Sequence, residues 1–247
     1  MNAALLCITL VLAGSAEDAL KEASERYARG DAAGAADAYE SAVAQGADGV
    51  DVYFNLGTAA LRAGDVGRAV WALMEARARD PWDDDVRFNL ELARKENPDT
   101  LVGSEEPAWM SALLLIPRAP LGWAAFALFV AFCALLTLRG LLGPSRAVER
   151  AARWTGALTF LLGALVLVVE STVGAPAAVV VSKEAVVRST ERVDGPEAFR
   201  VHAGLPVRPM APARGGLVRI RLANGLEGYA PEEAIRVVGG PPSVKAM

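Results

Sequence analysis

Two long apolar stretches in the middle of the chain limit its possible folds more than any other feature. Residues 121–138 (LGWAAFALFVAFCALLTL) are eighteen residues without a charge, and residues 154–169 (WTGALTFLLGALVLVV) are sixteen. A helix needs about 20 residues to cross a hydrocarbon core roughly 30 Å thick, and flanking residues extend both stretches to that length. We therefore predict transmembrane helices over 121–142 and 154–173. Two core helices of a soluble domain are the alternative, which the lack of any amphipathic pattern disfavours.

The short segment between these stretches, predicted to be a loop over residues 143–153, is rich in arginine. A single acid, Glu149, accompanies the basic residues, and the outer flanks of the two stretches hold only Arg118 and the more distant Lys183. Short loops with an excess of Lys and Arg stay in the cytoplasm. The loop is therefore predicted to be cytoplasmic, with both chain ends extracytoplasmic, on the basis of four arginines: Arg139, Arg146, Arg150 and Arg153.

The N-terminus predicts the same orientation. An apolar run over residues 3–13 is followed by small residues and then by Glu17-Asp18, as in a secretory signal, 1–16, that is cleaved after Ala16. Because no Lys or Arg precedes the run, an uncleaved anchor or a buried helix remains open. Farther along, residues 101–120 are predicted to form a linker with an interfacial helix that leads into the first span.

Charge and cysteine content exclude several classes of protein. The chain has a net charge of -4, but residues 17–106 carry 20 acids and 10 bases, a net charge of -10. Such acidity disfavours nucleic acid as a partner, because binding it needs a basic surface. With only Cys7 and Cys133 in the chain, neither an intrachain disulfide nor a cysteine-based zinc site is expected.

The acidic block, predicted to fold as residues 17–100, contains an internal repeat with a period of 34 residues. Gly30-Asp31 recurs as Gly64-Asp65, and Phe54-Asn55-Leu56 recurs as Phe88-Asn89-Leu90. A helix-breaking turn between apolar-periodic runs predicts pairs of helices joined by tight turns. Only about two and a half repeats are present, whereas three or more are usual. The block is therefore expected to need stabilising contacts with the membrane segment, a second copy or a partner.

The stretch VYFNLGTAALRAGDVGRAVWALMEARARDP resembles the tetratricopeptide repeat, an all-α fold. The resemblance implies close helix packing and a peptide- or protein-binding inner surface. Phe54, Thr58 and Arg62 lie at i, i+4 and i+8 on the helix face not used for packing, and they suit an apolar, acidic-ended peptide. Packing of Phe54 on the preceding helix is an open alternative. The residues that carry the repeat pattern are Tyr53, Leu56, Gly57, Ala60, Gly64, Ala69, Leu73, Ala76 and Pro81.

Residues 177–240 form a β-rich module with seven short apolar runs separated by Gly, Pro and Asp. Alternation of apolar residues and arginines over 217–222 predicts a half-buried strand, and Asn224-Gly225 predicts a hairpin to the next one. Together with Gly228-Tyr229-Ala230-Pro231, this order resembles a bacterial SH3-like barrel, an all-β fold. Some of its relatives bind cell-wall peptides, and many only mediate contacts.

No residue pattern indicates a reaction, so we expect a protein that is not an enzyme and has no catalytic residue, cofactor or metal. The lone His202 is expected to be structural, and Asp83-Asp84-Asp85 is explained by helix capping better than by a metal. Asp51 and Asp83 are the predicted N-caps of two helices. An unrecognised enzyme remains a third alternative, disfavoured because no nucleophile–base pair or phosphate loop is present.

The complete order of a signal, tetratricopeptide repeats, two spans and an SH3-like module resembles the BatE-like membrane proteins of bacterial aerotolerance operons. The resemblance implies an inner-membrane scaffold or adaptor with both soluble domains in the periplasm. It also implies von Willebrand A-type membrane proteins and a MoxR-type ATPase system as partners. A peptidoglycan receptor that binds the cell wall through the SH3-like module is the alternative function.

Overall fold

The computed structural model describes residues 3–99, 118–143, 145–173 and 177–239 of the 247-residue chain. The chain divides into two compact units, one of Met1–Glu105 with Pro176–Met247 and one of Glu106–Ala175. The first unit holds a block of helices and a β domain, and the second holds two long apolar helices. The predicted linker and interfacial helix, 101–120, lie outside the described residues up to residue 117.

Five helices form the helical block, and each packs against the next along the chain. α1 runs through Ala16 without a break, so cleavage after that residue, which stays a prediction, would remove the N-terminal half of this helix. The helices are α1 (Ala3–Ala28), α2 (Ala32–Ala44), α3 (Val50–Arg62), α4 (Val66–Arg79) and α5 (Asp84–Lys95).

The two Gly-Asp turns that the repeat predicts have the same local structure. Gly30 and Gly64 have φ values of 85° and 76°, a left-handed conformation that glycine adopts without steric cost. In each turn the aspartate then caps the next helix. The carboxylates of Asp31 and Asp65 accept hydrogen bonds from the backbone N–H three residues on, at 2.9 and 3.1 Å. The 34-residue repeat in the sequence therefore corresponds to one turn geometry that occurs twice in the structure.

The two aspartates predicted as N-caps differ in outcome. Asp83 caps α5, because its carboxylate accepts hydrogen bonds from the N–H groups of Asp85 and Val86 at 2.9 and 3.1 Å. The prediction for Asp51 is wrong, since Gly49 occupies the N-cap of α3 and Asp51 lies in the first turn. A carboxylate in the first turn also interacts favourably with the helix dipole. An aspartate near a helix start is therefore expected both at the N-cap and in the first turn, and the sequence alone does not separate the two.

The predicted repeat-packing residues lie in and around the core of the helical block. Gly57 marks the closest approach, because a Cβ there would lie 2.6 Å from Cγ of Leu73, on the neighbouring helix. Gly64 lies in the turn before α4, and Pro81 follows the end of α4 by two residues. The other predicted packing positions are buried, namely Tyr53, Leu56, Ala60, Ala69, Leu73 and Ala76.

Seven antiparallel strands form the β domain, and each of the seven predicted runs overlaps one of them. The order in the sheet is β3-β2-β6-β5-β4-β1-β7. Within the described residues the edge strands β3 and β7 do not pair with each other, so the sheet is open where a closed barrel was expected. The strands are β1 (Ala178–Val180), β2 (Glu184–Arg188), β3 (Glu197–His202), β4 (Pro206–Pro209), β5 (Leu217–Arg221), β6 (Glu227–Pro231) and β7 (Ile235–Val237).

The second unit is a pair of helices, α6 (Arg118–Leu142) and α7 (Arg146–Val173), that pack against each other. Their apolar parts, Pro120–Leu141 and Arg146–Val169, are long and apolar enough to cross a membrane, with mean hydropathies of 2.3 and 1.8. The connection is shorter than the predicted loop 143–153, because the helix-favouring sequence after Ser145 starts α7 at Arg146. Arg139 lies in the last turn of α6, and the other three arginines lie in the first turns of α7.

Candidate protein-interaction surface

One face of the helical block is covered by the β domain, and the contact is close. Gly67 of α4 lies against the end of β1, where a Cβ would come within 2.7 Å of both Cα and the carbonyl oxygen of Val181. Trp71 of α4 donates a hydrogen bond from its indole N–H to the carbonyl of Val237 at 3.1 Å. Val179 of β1 belongs to the same buried cluster as the helix residues. The two parts therefore share a core, and the short helical block packs against the β domain of its own chain.

Arg236 of β7 joins the β domain to two helices. Its guanidinium carbon lies 3.6 Å from the centre of the Trp71 ring, and its Nη1 donates to Glu40 of α2 at 2.6 Å. Arg68 of α4 binds the other oxygen of Glu40 at 3.2 Å and also binds Asp37 at 2.6 Å. Because stacked and largely desolvated guanidinium groups interact strongly with aromatic rings, this network fixes the orientation of the sheet on the helices.

Glu75 is a buried carboxylate at the end of this contact, with 1% of its surface exposed. One oxygen accepts a hydrogen bond from Arg79 Nη1 and the other from the backbone N–H of Gly239, both at 2.6 Å. Arg79 also pairs with Asp48 and lies 4.0 Å from the centre of the Tyr53 ring. Burial raises the pKa of the Tyr53 hydroxyl, which stays neutral. The buried charge is thus compensated on both oxygens, as burial requires.

His202, expected to be structural, is paired with an aspartate that is distant in sequence. Its Nδ1 lies 2.8 Å from Oδ1 of Asp99, and its backbone N–H donates to Oδ2 of the same residue at 2.6 Å. The pair ties the chain after α5 to the end of β3. Sequence analysis found no partner for His202 because Asp99 precedes it by 103 residues.

The face formed by α1, α3 and α5 carries the three predicted partner-binding residues. Arg62 lies over the ring of Tyr27 on α1, with its guanidinium carbon 5.0 Å from the ring centre. Thr58 accepts a hydrogen bond from the side-chain amide of Asn89 on α5 at 3.1 Å. Phe54 is partly buried and packs against the core of the block, and its role in partner binding stays a prediction. We call this face the inner surface.

Three large apolar side chains on or just before α5, the helix that bounds the inner surface, are exposed and were missed by sequence analysis. Phe88, Leu92 and Trp82 are 67%, 42% and 57% exposed. Phe88 and Leu92 are four residues apart and therefore share one face of α5. Phe88 is the repeat equivalent of Phe54, because the Phe-Asn-Leu motif recurs after 34 residues. That recurrence is the signal that could have identified it.

The inner surface combines apolar side chains with a cation, Arg62. In the part of the chain that the structure describes, no ion pair neutralises Arg62, whereas Arg68, Arg79 and Arg236 are all paired with carboxylates. Among the same described residues, no group of three or more His, Cys, Asp or Glu side chains could hold a metal ion. Exposed aromatic and aliphatic side chains beside a cation have the chemistry to contact a peptide segment.

No protein-family model matches this sequence, and no curated protein is detectably similar to it.

Proposed function

We propose that the protein is a membrane-anchored adaptor of the bacterial envelope, which binds protein partners through the inner surface. In this proposal the helix pairs are tetratricopeptide repeats, and the β domain is an SH3-like module that has opened to pack on them. The recurrent Gly-Asp turns and the close approach at Gly57 support the first assignment. The strand positions, with Asn224-Gly225 at a hairpin, support the second.

The observation that carries the proposal is the division of the helical block into a covered face and an open one. The β domain occupies the face of α2 and α4 through the Trp71, Glu75 and Arg236 contacts. The inner surface keeps exposed aromatic and aliphatic side chains together with Arg62. Exposed apolar residues beside an arginine are the usual anchors of a protein interface.

Chain topology supports anchoring through two spans. The helical block precedes α6 and the β domain follows α7, yet the two parts pack as one compact unit. They must therefore lie on the same side of any membrane that the chain crosses, which requires an even number of crossings. Two crossings by α6 and α7 meet that requirement, and the arginines between them favour a cytoplasmic connection.

The test is crosslinking in intact cells followed by affinity capture of the full-length protein. Phe88→Ala with Leu92→Ala, and separately Phe54→Ala with Arg62→Ala, should reduce recovery of a von Willebrand A-type or MoxR-type partner. A reduction of about 30-fold is expected, because truncating central interface residues costs about 2 kcal/mol or more. The variant at Phe88 and Leu92, which are exposed, should retain wild-type melting behaviour, and the variant at Phe54 and Arg62 is compared well below its own melting temperature because Phe54 also packs on the core.

The matched control removes exposed apolar side chains from the β domain, through Val193→Ala with Leu226→Ala, which are 63% and 52% exposed in the wild type. This control should leave partner recovery unchanged. Equal recovery with the inner-surface variants and the wild type would contradict the proposal. Binding to purified cell walls that only the β-domain control abolishes would favour the peptidoglycan receptor instead.

A further inference from the structure

The helix pair of the second unit contains a cavity that the adaptor function does not use. It has a volume of about 460 Å³ and lies between α6 and α7, near the connection between them. Phe132, Leu136 and Arg139 line it from α6, and Glu149, Arg153 and Gly156 line it from α7. One end of the cavity is therefore apolar and the other carries two guanidinium groups and one carboxylate.

The charged end has an excess of positive charge. Arg139 and Arg153 approach the two oxygens of Glu149 at 3.5 and 4.0 Å, and both contacts are long for ion pairs. Half of the Arg139 side chain and three quarters of the Arg153 side chain are exposed. One carboxylate cannot neutralise two guanidinium groups, and each guanidinium has five N–H donors. The pair can therefore also accept an anion with several oxygens.

The apolar end is an open groove between the helices. Gly156 brings α7 close to Phe132, since a Cβ at this position would lie 2.9 Å from Cε2 of that ring. Leu136, one turn farther along α6 from Phe132, continues the apolar wall toward Arg139. A ligand that fits both ends must have an apolar chain attached to an anionic group.

We propose that this cavity binds an anionic phospholipid, with its phosphate between Arg139 and Arg153 and an acyl chain along Phe132 and Leu136. The proposal rests on α6 and α7 crossing the membrane, as in the proposed function, and is independent of partner binding. Basic pockets between membrane helices on the cytoplasmic side are typical sites for anionic head groups. Free phosphate shares the head-group chemistry but would leave the apolar groove unused.

The experiment uses the full-length protein in phosphatidylcholine nanodiscs that contain a trace of spin-labelled lipid. Electron paramagnetic resonance measures the motionally restricted fraction of spin-labelled phosphatidylglycerol against that of spin-labelled phosphatidylcholine. The wild type should prefer phosphatidylglycerol. Arg139→Gln with Arg153→Gln should lower that preference about fivefold for each arginine, the ratio that corresponds to about 1 kcal/mol per basic residue.

The matched control is Arg146→Gln with Arg150→Gln, which removes the same charge from the first turns of α7 but leaves the cavity lining intact. It should lower the preference clearly less than the cavity pair does, because diffuse attraction by surface charge is common to both pairs but the cavity is not. Arg139→Lys with Arg153→Lys keeps the charge and should recover part of the preference. This recovery separates loss of the site from a failure of the helix pair to fold.

Three results would overturn the proposal. The first is equal restriction of the two lipids by the wild type, and the second is an equal loss with the control pair, which would indicate diffuse charge. The third is displacement of the restricted lipid by millimolar inorganic phosphate at constant ionic strength, which would make the site one for a free anion. If the protein does not insert into the bilayer at all, the two-span arrangement itself fails, which is distinguishable from these three results.

Discussion

Substituting Gly67 by alanine tests directly whether the helical block and the β domain share one core. The new Cβ would lie 2.7 Å from Cα and from the carbonyl oxygen of Val181 and 3.0 Å from the carbonyl oxygen of Val180, whereas ordinary contacts begin at 3.4 Å. These are backbone atoms, so no side-chain rotation relieves the overlap. Overpacking of this kind costs about 1–3 kcal/mol. The higher helix propensity of alanine offsets about 1 kcal/mol of that cost.

The net expectation for Gly67→Ala is a loss of up to about 2 kcal/mol, concentrated where the sheet docks on α4. Hydrogen exchange measured by mass spectrometry on the full-length protein should show this loss as faster exchange in β1 and β7. An increase of up to about 30-fold is expected, because 1.4 kcal/mol corresponds to a factor of ten. Strands β5 and β6, whose buried residues Val218, Ile220 and Ala230 belong to the separate core of the β domain, should change less.

Gly57→Ala is the matched control, because its Cβ would meet Leu73 inside the helical block and not the β domain. It should accelerate exchange in α3 and α4 more than in β1 and β7. The reasoning would be refuted if Gly67→Ala left the exchange of β1 and β7 and the melting temperature at their wild-type values.

Two further predictions concern the buried carboxylate and the charges on the sheet. Glu75→Leu should destabilise the protein by about 3 kcal/mol in denaturant unfolding, because it leaves Arg79 and the N–H of Gly239 without this acceptor, and Glu75→Gln should recover part of the loss. Hydrogen bonding, mainly from Arg221, holds the pKa of Glu227 below its usual value of 4.5. A lowered folded-state pKa adds stability above about pH 4.5 that is lost as the pH falls through the folded value. The melting temperatures of wild type and Glu227→Gln should therefore converge in acid, and a constant difference would contradict this assignment.

Much of the fold could be predicted because its signals are local. Gly30-Asp31 and Gly64-Asp65 each specify a turn and a cap within four residues, and the alternation over 217–222 specifies one buried strand face. The apolar stretches 121–138 and 154–169 predicted two long helices, which the structure contains. The start of the second helix lies at Arg146 instead of residue 154, because arginine and alanine favour helix over loop after Ser145.

The docking of the sheet on the helices could not be predicted, because its contacts are distant in sequence. Arg236 meets Glu40 across 196 residues, and the Gly239 N–H meets Glu75 across 164. No periodicity connects such pairs. The same limitation applies to the expectation of a closed barrel. Strand β7 contacts Trp71 of α4, and among the described residues it does not pair with β3, the strand at the other edge of the sheet.

The candidate site was predicted in part. The i, i+4, i+8 pattern placed Phe54, Thr58 and Arg62 on one helix face, and the structure brings that face between α1 and α5. The pattern did not reveal that Phe88 is more exposed than Phe54, because exposure depends on which helices follow in the array. Whether these residues bind a partner stays a prediction.

The most direct test of the account is thiol labelling of single cysteines in intact cells, in a background with Cys7→Ala and Cys133→Ala. Ser24→Cys on α1, Ser189→Cys after β2 and Ser145→Cys between α6 and α7 are all at exposed positions. A reagent that does not cross the inner membrane should label the first two in intact cells and Ser145→Cys only after lysis. The opposite orientation would move four arginines across the bilayer at about 2.3 kcal/mol per charge per 100 mV. Labelling of Ser145→Cys in intact cells would contradict the predicted orientation of the two spans. Different accessibility of Ser24→Cys and Ser189→Cys would contradict a helical block and a β domain that pack together on the same side of the membrane.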